Sequence, residues 1–334
     1  MARGARERAS EPVRARVVAD VEAQLGWIGA IDPLVNAIVV RDDHAAREMA
    51  QRVDPTRRLG GVPVVVNETL GVAGLPQSLG RPELGVRAAP VDAPVVRRLR
   101  AANAVILGLT NGPSPSGEPD AINAVYGRTL NPRDGRRMAG GRAAGDAAAV
   151  AVGLAPLALT TGDAGDVVRA AGWCGVAAHR PSSADYAIVA RTVADLEWAW
   201  EELELPAVPE LSPQPTVRQP AAPTIDHAAA LAKCEAATGG ALPPGVRLAP
   251  APGCAPPRVG ARRLRPSRLA PVAAPITVVT VDTDAYGLPI AVAVVGPLGG
   301  DALTLGVAGL LEARFGVAVP VVPRFGSSTP WGRR

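Results

Sequence analysis

Few side chains in this 334-residue sequence are reactive, and their spacing excludes several chemistries at once. Cys174, Cys234 and Cys254 stand far apart, with no CxxC pair and no metal-ligand spacing, so neither a disulfide framework nor a zinc site is expected. His44, His179 and His227 are equally scattered. The residues that could do chemistry gather instead around two glycine-rich turns. The first, AGGRAAGD (139–146), places Arg142 and Asp146 among small residues; the second, TGDAGD (161–166), sets Asp163 and Asp166 on either side of Gly165 and Ala164. Two carboxylates facing one cavity repel each other, which raises the pKa of one and makes an acid–base couple. An arginine facing a carboxylate offers bidentate pairing instead. Asp146, at the head of an alanine-rich run, has the sequence position of a helix N-cap. Cys174, inside AAGWCGVAA, reads as a small buried side chain.

These turns need rigid elements on both sides. Residues 13–53 read as helical, with Val17, Val21, Leu25 and Ile28 near a 3.6-residue period. GVPVVVN (61–67) and AVILGLT (104–110) read as buried strands, separated by a helix around 90–102. The first glycine-rich turn feeds a helix, DAAAVAVGLA, and LALTT (157–161) is a strand running into the second turn. TVADLEWAWEELE (192–204) is an amphipathic helix. From 205 to about 275 the chain is rich in proline and alanine, with one helix expected at 226–238 and the remainder irregular. ITVVTVDTD (276–284), GLPIAVAVVG (287–296) and a helix from Asp301 to Arg314 complete the pattern. Alternating helices and strands predict an α/β fold with a large mixed, mostly parallel sheet covered by helices on both faces. We read residues 1–334 as a single domain carrying a reduced 205–275 insertion.

The net charge of +4 is carried by arginine, with Lys233 the only lysine. That composition points to a GC-rich, actinobacterial genome rather than to a polyanionic partner. Nucleic-acid binding would want a basic stripe interleaved with aromatics, and aromatics are only 3% of the chain. No run of about 18 apolar residues would span a membrane, and the charged N-terminus lacks a signal-peptide core, so a cytoplasmic protein is expected. No motif implies a cofactor.

The order of these segments resembles the amidase-signature hydrolases over most of the chain. GVPVVVNETLGVAGLPQSLG (61–80) is similar to the segment that carries that family's catalytic lysine; AANAVILGLTNGPSPSGEP (101–119) and VYGRTLNPRD (125–134) resemble the approach to the signature. GGRAAGDAAAVAVGLAPLALTTGDAGDVVRAAGWCGVAAHRPS (140–182) is similar to the signature itself, and DAYGLPIAVAVVGPLGGDALTL (284–305) to the C-terminal strand pair and helix. The resemblance implies the amidase-signature fold. It also implies a hydrolytic triad of lysine, bridging serine and nucleophilic serine, with an oxyanion held by backbone N–H groups. Carried over by position, the lysine falls on Asn67, the bridging serine on Arg142 and the nucleophile on Asp166. No serine lies between Ser116 and Ser182, so a one-residue slip restores nothing.

Three functions follow as expectations. The first is a non-hydrolytic pseudoenzyme that binds a small molecule in the former amidase pocket, a second copy of itself or a protein partner, with Arg142 and Asp166 forming a buried ion pair. Glu68, Asp163, Gly165 and Cys174 would line that pocket. The second is a repurposed enzyme of specialised metabolism catalysing cyclisation, elimination or isomerisation, with Arg142 holding an anion and Asp166 as base. The third is residual acyl transfer or hydrolysis through Cys174 or a water activated by Asp166.

Overall fold

The β-branched and alanine-rich runs assemble into one open nine-stranded sheet. The computed structural model describes residues 2–84, 87–112, 122–161, 164–182, 184–203, 225–240, 242–251, 258 and 274–316. In chain order the elements are α1 (Ala2–Val35), β1 (Ile38–Arg41), α2 (Asp43–Arg52), β2 (Pro63–Asn67), α3 (Pro94–Ala101), β3 (Val105–Thr110), α4 (Ala144–Ala151), β4 (Leu157–Thr161) and α5 (Ala164–Cys174). Then come β5 (Ala177–Arg180), β6 (Tyr186–Ala190), α6 (Val193–Leu203), α7 (Ile225–Ala237), β7 (Arg247–Pro250), β8 (Ile276–Thr283), β9 (Pro289–Val295) and α8 (Asp301–Phe315). The strands lie in the order β1-β3-β2-β4-β6-β5-β8-β9-β7.

The α/β class, the mixed sheet and the helices on both faces are as expected, but the balance of pairing is not. Among the described residues only β3/β2 and β2/β4 of this sheet pair in parallel. The other six pairings are antiparallel. Connection length accounts for two of these: a parallel neighbour needs a crossover such as the one through α3, whereas β5–β6 and β8–β9 are joined by short turns that force reversal.

Strand alternation divides the core into two layers. Val65, Leu107, Ala158 and Val189 face α1, α2, α4 and α5, together with Ile28 and the alanines of α4. Val64, Val66, Ile106 and Leu159 face α3, α6 and α8, against Leu99, Leu196 and Leu311. Asn67 shares the parity of Val65, so it points towards α4. A bulge does the same for Thr110: register steps from Val64↔Ile106 to Val65↔Gly108, inserting Leu107 as the extra residue. Gly108 is needed there because an added Cβ would sit 2.3 Å from the Val40 carbonyl oxygen.

The expected 13–53 helix is interrupted. Asp32 accepts hydrogen bonds from the Ala37 and Ile38 N–H groups at 2.9 and 3.0 Å, Asn36 takes φ +54°, and Ile38–Arg41 leaves as an edge strand. The helix expected at 226–238 forms as Ile225–Ala237, and the same stretch adds a strand, β7, that pairs with β9. Among the described residues no helix is long and apolar enough to cross a membrane.

Candidate functional site

Two short helices meet over the C-terminal ends of β2, β3 and β4. The turn that opens α4 depends on Gly140 (φ +105°) and Gly141 (φ +63°). It lies so close to α5 that a Cβ on Gly140 would come within 2.9 Å of the Ala170 Cα, and one on Gly141 within 2.5 Å of Asp166 Oδ1. The far end of α5 is held by Arg133, which donates to the Cys174 carbonyl at 3.0 Å and to that of Gly175 at 3.4 Å. The Arg142 backbone and the Asp166 side chain are therefore positioned by packing rather than by loop chance.

Asn67, Arg142 and Asp166 do come together. The Asn67 amide is fully buried and every hydrogen-bonding position on it is filled. Its nitrogen donates to the Arg142 carbonyl at 3.1 Å and to Asp146 Oδ2 at 2.6 Å. Its oxygen accepts from the Thr69 N–H at 3.1 Å and the Thr69 hydroxyl at 2.6 Å. The Thr69 hydroxyl in turn meets that of Thr161 at the end of β4. Asn67 is a clamp between two strand ends and the glycine-rich turn.

Asp146 is not the helix cap expected from its position. The N-cap of α4 is Ala143, with no side-chain cap bond, and Asp146 sits inside the first turn, fully buried. Its carboxylate accepts from the Thr110 hydroxyl at 2.5 Å as well as from Asn67. Burial pushes its pKa up to about 6, against the opposing hydrogen bonds from Thr110, Thr160 and Asn67.

The buried Arg142–Asp166 ion pair forms only as a contact. Arg142 Nε lies 3.6 Å from Asp166 Oδ2, beyond hydrogen-bond length, and the Arg142 side chain is 52% exposed. The hydrogen-bonded partner is Arg169, one turn along α5, whose Nη1 reaches Asp166 Oδ1 at 2.8 Å with both side chains largely covered. The i, i+3 spacing of Asp166 and Arg169 on a helix was the available signal for that pair.

The remaining expected residues divide. Gly165 is buried in the first turn of α5 beside Asp166, and Asp163 lies outside the described residues. Glu68 is buried, but its Oε1 is spent on the Ser78 N–H (2.6 Å), the Ser78 hydroxyl (2.7 Å) and the Leu79 N–H (3.1 Å), which fixes the 78–80 turn. Cys174 is eight residues from Asp166, about 12 Å along the helix. Its thiol points to the Ala139 carbonyl at 3.5 Å, and burial raises its pKa to about 12, so it is a packing residue and not a nucleophile. Among the described residues no group of three or more His, Cys, Asp or Glu side chains could hold a metal.

A sequence profile described as Amidase matches residues 19–189, which contain all the residues just discussed. The chain is 37% identical over 173 residues to indoleacetamide hydrolase of Bradyrhizobium diazoefficiens, covering 49% of this chain and 33% of that protein. It is 35% identical over 170 residues to a glutamyl-tRNA(Gln) amidotransferase component of Symbiobacterium thermophilum, covering 48% of this chain and 35% of that protein. The matched segment thus spans about a third of each of these curated relatives. The fold is similar to that of 6-aminohexanoate cyclic dimer hydrolase, with a TM-score of 0.77 at 19% identity, covering 96% of this chain and 97% of that structure.

Proposed function

This chain belongs to the amidase family, and on that premise we propose that it does not cleave amides by the family's serine mechanism and acts instead as a non-hydrolytic binding protein. The observation that carries this reading is the state of Asn67. At the position of the lysine stands a neutral amide with all four hydrogen-bonding positions filled by Arg142, Asp146 and Thr69. It has no lone pair to accept a proton from a nucleophile and no free donor to pass one on. The two positions that would relay and attack hold a guanidinium, which stays protonated, and a carboxylate bonded to Arg169. With Cys174 out of reach, no hydroxyl or thiol on these positions can form an acyl-enzyme.

The relatives include proteins named as a hydrolase and an amidotransferase, so hydrolysis is the competing outcome and is tested directly. Purified protein is incubated with indoleacetamide, glutamine and a set of aryl amides, and product is followed by mass spectrometry. No turnover by wild type is expected. Turnover that survives Arg142→Ala but disappears with Asp166→Ala would overturn the proposal in favour of a water activated by that carboxylate. One feature favours a second reading, a repurposed catalyst: Arg142 remains half-exposed beside Asp166 and could meet a substrate. Incubation with extracts would then reveal a metabolite altered by wild type and not by Arg142→Ala.

A further inference from the structure

We propose that Arg142 is the recognition residue for a carboxylate monoanion. This rests on the non-hydrolytic reading of the site and names the chemistry of what the site binds. Three observations carry it. Arg142 has five N–H donors; among the described residues its one contact with a charged group runs through Nε at 3.6 Å, and the paired terminal nitrogens carry no hydrogen bond. Arg169 holds Asp166 Oδ1 at 2.8 Å from a covered position, closer than Arg142 approaches Oδ2. Of the two guanidiniums beside Asp166, Arg169 is the hydrogen-bonded and covered one, while Arg142 is the looser one and the one that solvent can reach. Finally, the Arg142 backbone is fixed by the Asn67 hydrogen bond to its carbonyl and by the close packing of Gly140 and Gly141 on α5, so the guanidinium projects from a rigid base.

A planar guanidinium fork matches a carboxylate with two parallel hydrogen bonds. A phosphate dianion would bring a second charge next to Asp166, 3.6 Å from the same guanidinium, and is disfavoured by that repulsion.

The test uses the full chain with benzoate and benzamide, which share a ring and differ in the charged head, and with inorganic phosphate at matched ionic strength. Affinity is read by calorimetry or by NMR shifts. Benzoate is expected to bind at least about tenfold more tightly than either benzamide or phosphate. Arg142→Gln should lower benzoate affinity about tenfold with unchanged circular dichroism. Asp166→Asn should raise it, because it removes the competing carboxylate; a merely structural role for the pair predicts no gain. Equal binding of benzoate and benzamide, or benzoate binding untouched by Arg142→Gln, overturns the proposal. Phosphate binding more tightly than benzoate overturns the carboxylate assignment. Benzamide turnover, followed in the same samples, reports on the non-hydrolytic reading separately: hydrolysis refutes that reading whether or not benzoate binds, and absent binding without hydrolysis refutes only the carboxylate.

Discussion

Asp146 should make this protein less stable as the solution becomes neutral, and replacing it by asparagine should remove that dependence. The carboxyl is fully buried in α4, and its pKa stands at about 6 against 3.8 for an ordinary aspartate, with burial the main cause. A folded-state pKa above the unfolded value means that the folded protein holds the proton more tightly. The stabilising contribution is therefore complete below about pH 4 and is lost as pH rises through about 6. The difference, 6 − 3.8 = 2.2, corresponds to about 3 kcal/mol at 1.36 kcal/mol per pH unit. Asp32 and Glu312 are also raised by burial and act in the same sense, whereas Asp54 and Asp134, held low by hydrogen bonds from Thr56 and Arg136, act in the opposite sense at lower pH. The quantity to measure is thus the difference between wild type and Asp146→Asn, from urea unfolding at several values between pH 4 and pH 8. Asparagine keeps an acceptor for Asn67 and presents a donor to the Thr110 oxygen, so the fold should survive. The variant should gain about 3 kcal/mol relative to wild type between the two ends of the range, most of it between pH 4 and pH 6. A difference that stays constant to within about 1 kcal/mol would refute the reasoning, because it would mean that the three hydrogen bonds to Asp146 offset its burial entirely.

Further outcomes follow from the same geometry. Asn67→Ala should destabilise the protein by about 2–4 kcal/mol in denaturant titration, since it leaves Asp146 Oδ2 and the Arg142 carbonyl without their donor in a buried place. Gly141→Ala combines a left-handed backbone angle with a contact 2.5 Å from Asp166 Oδ1 and should lower the melting temperature by roughly 4–8 °C; an unchanged melting temperature would show that the turn is not tied to α5. Cys174 and Cys234 are free and buried, so in a Cys254→Ala background neither should react with a thiol reagent until the protein unfolds.

How much of this was legible in the sequence depended on whether a residue's partner lies near it in the chain or across the sheet. Strand Val105–Thr110 and helices Ile225–Ala237 and Asp301–Phe315 were readable because their own residues carry the pattern. The convergence of Asn67, Arg142 and Asp166 was expected only through the resemblance, since nothing local places residue 67 beneath residue 142. Ile38–Arg41 was read as helix because an apolar run that short fits either period; what decides it is Asn36, which closes the break by donating to carbonyls at Tyr126 and Arg128, 90 and 92 residues away. Asp146 shows the same limit at the site. A carboxylate before an alanine run looks like a cap, and the cap preference is real, yet the strand ends at Asn67 and Thr110 supply stronger donors from 79 and 36 residues away. Arg169 lay within one helical turn of Asp166 and could have been read as its partner. It is the closer of the two guanidiniums on Asp166, at 2.8 Å against 3.6 Å for Arg142.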